Sequence, residues 1–331
     1  MNQLDYEQVR KLLADVPAGA VRQTTYNRQG QEVAFCLDVF PDQKDAAGKS
    51  ELYALYPGVT LSFFSCLAQQ TACTHPSQPE ILEIHYCRKG PAGWRMQDGS
   101  TIYLSAGDCS IHTRRLCAGC QITFPNGYYQ GLSLTVDLQC FPQHLPELLR
   151  EAGITGTEVY QKYCQAGPFT TISGDKQATS ILEGFFDLPP ALSLAYYKLR
   201  FQELLLYLDR ADGCFQEHPV PYRPDQIEIA RQIHDLLTEH LDQRITIDTL
   251  SRRFLMNPST LKALFKAVYG NSIARHIKEH RMERAALLLR DTSLSVGQIS
   301  EAVGYESQSK FSAEFRKTFQ TLPSEYRRLH G

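Results

Sequence analysis

No apolar run among the 331 residues approaches the ~20 residues that a membrane-spanning helix needs, so a helical membrane protein is excluded. The opening residues, MNQLDYEQVRKLLADV, lack the basic block and following apolar stretch of a secretory leader, and a cytoplasmic location is expected. Net charge is nearly absent: 34 Lys+Arg against 36 Asp+Glu leave −2, so the overall balance marks no partner of one sign. Cysteine is missing after Cys214, although ten stand at or before it. A reducing compartment disfavours a disulfide framework, and most are read as small buried apolar residues. Cys117-Ala118-Gly119-Cys120 has no second C-x-x-C to complete a four-thiolate metal site. That pair stays open between a redox sensor and two cysteines near a hairpin.

What is present is an ordinary globular composition, 43% apolar and 21% charged, in a chain long enough for two domains. The charge is unevenly placed. From Ile227 onward 16 basic residues stand against 12 acidic ones, while the rest carries 18 against 24. A polyanion is therefore expected to bind the C-terminal part. Three prolines in DGCFQEHPVPYRPD, Asp212–Asp225, interrupt two helical stretches and mark a domain boundary. From about Val33 to Val136, short runs rich in Val, Ile, Tyr and Phe alternate with turns such as Asp98-Gly99 and Gly107-Asp108, the pattern of a sandwich or small barrel. Helices are expected from about Pro142 to Ala211. The last of them, about Ala191–Ala211, has an apolar stripe wide enough to pair with a second copy, with Leu199 and Leu205 as candidate contacts.

Everything after Asp225 reads as helix and contains a repeat. Leu250, Leu261, Phe265 and Tyr269 of the first copy match Ile299, Phe311, Phe315 and Phe319 of the second. Each copy is a short helix, a tight break and a second helix. Gly304 suits the left-handed end of the first helix in the second copy, and Ser307 is placed to cap the next. Asn257 and Ser259 are the capping candidates in the first. Outward faces carry Ser259, Lys262, Ala263 and Lys266 in one copy, and Gln308, Ser309, Ser312, Ala313 and Arg316 in the other. Short polar side chains reach base edges in a major groove, while cations and helix N-termini hold phosphates. One continuous helix, Ser272–Arg290, separates the copies and would set two reading heads roughly 34 Å apart, one turn of DNA.

These marks resemble the DNA-binding domain of the AraC/XylS family of bacterial transcription regulators: Arg281-x-x-x-Ala285, Ile299-x-x-x-Val303-Gly304-Tyr305, Phe311-x-x-x-Phe315, and Pro323 before Tyr326-Arg327. The resemblance covers roughly the last 100 residues. It implies an α+β chain. An N-terminal cupin-like β-barrel with a helical dimerisation subdomain (1–211) precedes a linker (212–225), and an all-α domain (226–331) holds two helix-turn-helix motifs joined by a linker helix. It also implies base reading by Ser259, Lys262 and Ala263 and by Gln308, Ser309 and Ala313. Family members often place a longer side chain where Ala263 and Ala313 stand, so DNA shape is expected to carry part of the specificity.

The expected partners are promoter DNA, a small-molecule effector, a second copy of the chain and, as a further candidate, RNA polymerase. No catalytic residue, metal or other cofactor is expected. Tyr86, Trp94, Tyr103, Phe124, Tyr128 and Tyr129 are candidates to line an effector pocket, or else barrel core. His85, Cys87, Cys109 and His112 have metal-ligand chemistry, but the strand reads His-Tyr-Cys where enzymatic cupins have two histidines at H-x-H spacing. The alternative kept open is a cupin-type metal-dependent enzyme, or a redox or metal sensor, carrying the same DNA-binding domain.

Overall fold

The computed structural model describes residues 3–330 except 41, 74, 97, 166–168, 190–192, 212–215, 218 and 220. Leu192, Cys214 and much of the expected linker lie outside the described residues, as does the Cys117 side chain. The chain divides into two compact units, Glu7–Arg223 and Pro224–Gly331 together with Met1–Tyr6.

The first unit is built on β1 (Ala20–Tyr26), β2 (Glu32–Val39), β3 (Ala47–Tyr56), β4 (Val59–Leu67), β5 (Gln70–Ala72), β6 (Ile81–Lys89), β7 (Ala92–Arg95), β8 (Thr101–Leu104), β9 (Cys109–Thr113), β10 (Gln121–Thr123), β11 (Tyr128–Asp137), β12 (Phe169–Ile172) and β13 (Gln216–Glu217). They form a large sheet in the order β13-β12-β9-β6-β11-β4-β3-β1-β2 and a small one in the order β5-β10-β7-β8. Pairing is antiparallel except between β1 and β3. The helices before Pro224 are α1 (Gln3–Leu12), of which only the part from Glu7 belongs to this unit, α2 (Arg114–Cys117), α3 (Glu147–Ala152), α4 (Thr157–Cys164), α5 (Lys176–Glu183) and α6 (Ser193–Arg210).

Strand β6 explains the layering. Its alternate residues Leu82, Ile84 and Tyr86 enter one core with Leu132, Leu134 and Val136 of β11 and with Phe201, Leu204, Leu205 and Leu208 of α6. Cys87, on its other face, enters a second core with Trp94, Phe124, Tyr129 and Phe169. A strand with one face under helices and the other in a second core has few polar positions to spare, which is why ILEIHYCRK holds only two cations, both at its end.

The α+β class expected from the sequence is the one observed. Three details differ. The strands begin earlier than Val33, at Ala20. Phe169–Ile172, inside the stretch expected to be helical, is β12 and pairs with β9; Phe-Thr-Thr-Ile is β-branched and aromatic, and an open sheet edge decides its state. Leu205 is fully buried in the α6 core, so it is no contact for a second copy, whereas Leu199 is 60% exposed.

The second unit is all helix: α7 (Pro224–Glu239), α8 (Ile247–Arg253), α9 (Pro258–Tyr269), α10 (Ile273–Asp291), α11 (Val296–Ala302), α12 (Gln308–Phe319) and α13 (Pro323–His330). No described helix is long and apolar enough to cross a membrane.

Candidate nucleic-acid interface

Two helix pairs, α8/α9 and α11/α12, hang on α10. Each second helix starts at a side-chain cap. Asn257 accepts the Thr260 N–H at 2.9 Å and Ser307 accepts that of Lys310 at 3.5 Å. Ser259 is not the cap; its hydroxyl donates to Asn257 Oδ1 at 2.7 Å and supports it. A full capping box of Ser295 and Gln298 opens α11. Buried Leu261, Leu264, Phe265 and Val268 anchor α9, and Phe311 and Phe315 anchor α12. Anchoring one face by these residues forces the opposite face outward. Ser259, Lys262, Ala263 and Lys266 are exposed on α9, and Gln308, Ser309, Ala313 and Arg316 on α12, with Ser312 half-buried.

Three cations on or beside these faces were not among the sequence-derived candidates: Lys310 at the start of α12, and Arg252 and Arg253 at the end of α8, all exposed. Their signal was the plain Ser-Arg-Arg-Phe run and the Lys310 N-terminal to Phe311. Gln308 lies close to α11, because a Cβ on Gly297 would stand 3.2 Å from its Oε1.

Arg281 ties the two pairs together. From α10 it donates to the Gly304 carbonyl in the second turn and to the Gln243 carbonyl ahead of α8, both at 3.0 Å. Burial pulls its pKa down, with Tyr305 and Asp242 opposing; a guanidinium stays charged regardless. Lys278 on α10 also reaches Glu314 on α12 at 2.9 Å.

Residues 250–329 match the model of a family described as a helix-turn-helix domain. The regulatory protein SoxS of Salmonella typhimurium is 31% identical over 100 residues, which cover 30% of this chain and 94% of SoxS. SoxS of Escherichia coli is 34% identical over 98 residues, 29% of this chain and 92% of that protein. The chain belongs to the AraC/XylS family. It is a DNA-binding transcription regulator, and the relatives named here are regulators too. Among solved structures, the C-terminal domain of AraT, a response regulator from Geobacillus stearothermophilus, is 32% identical over 30% of this chain and 84% of that one, with a TM-score of 0.30.

In the first unit of the regulator, five of the six aromatic candidates, Tyr86, Trp94, Phe124, Tyr128 and Tyr129, are buried, and Tyr103 is half-buried. None of them lines the cavity of about 610 Å³ bounded by Lys49, Phe63, Arg88, Lys89, Phe186 and Tyr197 among others. Tyr86 instead donates its hydroxyl to Glu183 at 2.7 Å. Of the four metal-type residues, His85 and His112 come together with stacked rings, but Cys109 faces the other core and Cys87 donates to the Gly90 carbonyl. Glu83 completes the cluster, 3.5 Å from His85 and 3.6 Å from His112. Its other oxygen is held by Arg114 at 2.9 Å. Burial alone would raise the Glu83 pKa, but His112 and His85 outweigh it and hold the carboxyl well below its ordinary range. Burial lowers the His112 pKa, against the upward pull of Glu83. Described cysteines form no disulfide.

Proposed function

We propose that the regulator reads two successive major grooves of promoter DNA through α9 and α12, under control of an effector held in its first unit. The observation that carries this reading is the pair of capped helices, each with its apolar face anchored and its polar face open, joined through one linker helix by Arg281. Ser259, Ala263, Gln308, Ser309 and Ala313 are the base-edge positions, and Lys262 stands at the groove mouth within reach of a guanine edge or a phosphate. Lys266, Ser312 and Arg316 serve the phosphates, with Arg252, Arg253 and Lys310 added to them. The division of labour follows the boundaries 1–211 for effector binding and dimerisation, 212–225 for a linker and 226–331 for DNA.

The 610 Å³ cavity is of the size that accepts a small molecule. Phe63, Phe186 and Tyr197 offer it an apolar wall, and Lys11, Lys49, Arg88 and Lys89 outnumber Glu51 and Asp187 around it. An effector with an anionic group and an apolar body fits that lining. The reading places the protein in the cytoplasm as a non-enzymatic homodimer that engages RNA polymerase at its promoters.

Gel shift of the full chain on a site selected from randomised duplex DNA, over a salt series, tests the proposal. Affinity should fall steeply with salt. The double variant Lys266→Ala/Arg316→Ala should bind more weakly with a flatter slope, and unchanged affinity and slope would refute the assignment.

A further inference from the structure

Three histidines away from the DNA-reading faces converge in the second unit. His234 stands on α7. His276 and His280 stand four residues apart on α10, so successive turns of the linker helix present both imidazoles on one side. His234 Nδ1 lies 2.8 Å from His276 Nε2, and His280 Nε2 lies 3.2 Å from that same nitrogen. All three nitrogens fall within 4.8 Å of one another. His280 turns its Nδ1 to Glu283 Oε2 at 3.2 Å. The rings are packed: His234 stacks on Tyr269, the last residue of α9, with centroids 4.7 Å apart, and Phe265 meets His276 edge-on at 5.1 Å.

Hydrogen bonding alone serves this triangle poorly. A carboxylate at Nδ1 selects the Nδ1–H tautomer of His280 and leaves a lone pair on its Nε2. That lone pair and His234 Nδ1 both face His276 Nε2, which carries either one proton or one lone pair. A single proton in the triangle leaves two nitrogens sharing one hydrogen or facing lone pair to lone pair. A cation removes the conflict. Four-coordinate zinc, with bonds of about 2.0–2.1 Å, sets its ligand nitrogens about 3.3–3.4 Å apart. The 3.2 Å separation is close to that spacing, and the 2.8 Å one would open by about half an ångström to admit the ion. A carboxylate behind a ligating imidazole is the usual outer partner of such a site. All-nitrogen donors suit a borderline divalent transition metal and not calcium or magnesium.

We propose that His234, His276 and His280 bind one zinc ion, with Glu283 orienting His280 and a fourth position open to water. The ion clamps α7 to the linker helix and, through the His234–Tyr269 stack, braces the end of α9. The other histidine cluster lacks this fit, because Arg114 already neutralises Glu83.

The test uses the full chain, stripped with a chelator and titrated with zinc or cobalt(II). One equivalent should bind. The cobalt form should show the d–d bands of a four-coordinate nitrogen and oxygen site without thiolate charge transfer, which separates it from any site built on the cysteines. His234→Gln and His280→Gln should each weaken binding at least tenfold, while His85→Gln should leave it unchanged. Wild-type affinity in both of the first two variants, or loss confined to His85→Gln, would overturn the assignment. If those variants do not fold, the wild-type protein decides. Imidazole nitrogen resonances of His234, His276 and His280 either shift together with one equivalent of zinc or stay in place, and the second result refutes the site.

Discussion

Leu255 and Gly304 hold corresponding places in the two turns, and both adopt left-handed backbone, φ 49° and 75°. A glycine is free to do so, while a leucine in that region costs about 1–2 kcal/mol. Leu255 is 94% exposed, so its side chain recovers little by packing. Leu255→Gly is expected to raise the stability of the second unit by about 0.5–1 kcal/mol, the relief of strain less the extra entropy of an unfolded glycine. Gly304→Ala should do the opposite and more strongly. Its Cβ would stand 2.5 Å from the Leu241 carbonyl oxygen and 2.6 Å from Arg281 Nη2, in the contact that joins the two helix pairs. Thermal melts followed by helical ellipticity measure both. Asn257 and Ser307 as caps, the Phe311–Phe315 pair and Gly304 were legible in the sequence because each is decided within a few residues; Ser259 as a cap was not borne out, and the Ser295–Gln298 box went unread. Glu83 was not legible. It meets His112 only through the β6–β9 register, 29 positions along the chain.

That carboxylate sets an acid limit on the first unit. The folded pKa of Glu83 lies below its unfolded value, near the ordinary 4.5, so its stabilisation is present above that pH and is lost as the pH falls toward the folded value. His112, held below 6.5 by burial, loses stability in the same direction, beginning nearer neutrality. Trp94 is the only tryptophan and its ring meets His85 edge-on at 5.6 Å, so its fluorescence reports this unit. The denaturant midpoint read from Trp94 should decline from about pH 6.5 and fall faster below about pH 4.5. Glu83→Gln should lose about 3–5 kcal/mol at neutral pH, because it leaves Arg114 part-buried without its counter-charge, and should flatten the steeper acid limb.

At the scale of elements, α9 and α12 differ in what they present. Lys262 stands one turn into α9, where a cation reaches phosphate or a guanine edge. Gln308 opens α12, where a bidentate contact with adenine is available once its side chain leaves Gly297. Gln308→Ala is expected to relax preference at one base pair by about 1–3 kcal/mol, while Lys262→Ala lowers affinity for all sequences and flattens the salt slope. Footprinting both variants on a randomised operator should show two zones about one turn of DNA apart; coincident zones would contradict separate reading heads. Both helix pairs could be read from the chain because repetition exposes register: Leu250 and Ile299, or Phe265 and Phe315, mark the same inward position twice. β12 could not. Four residues carry too little periodicity to outweigh helices on either side, and only the vacant edge of β9 makes them a strand.

For the molecule as a whole, assembly turns on surfaces that the chain itself leaves apolar. Strand β2 is at one edge of the large sheet, and Val33, Phe35, Leu37 and Val39 along it are 50–75% exposed. On α6, Tyr196 and Leu199 are 41% and 60% exposed. A row of apolar side chains on an edge strand with unpaired backbone groups is an aggregation hazard unless something covers it. A second copy covers it without a new partner, and the regulator is expected to sediment as a dimer at micromolar concentration. Phe35→Glu combined with Leu199→Glu should yield a folded monomer, with Trp94 emission and thermal midpoint near wild type, since neither side chain supports a core. Leu205→Glu, aimed at a fully buried position, should instead unfold the unit. A dimer brings two DNA-binding units to one promoter and turns the second binding event into an intramolecular one. The monomeric variant should therefore keep its affinity for a single site and lose about 10²-fold or more on a two-site promoter. Equal losses on both templates would place the defect in the DNA-binding unit, and a wild-type monomer would remove the basis for the effect.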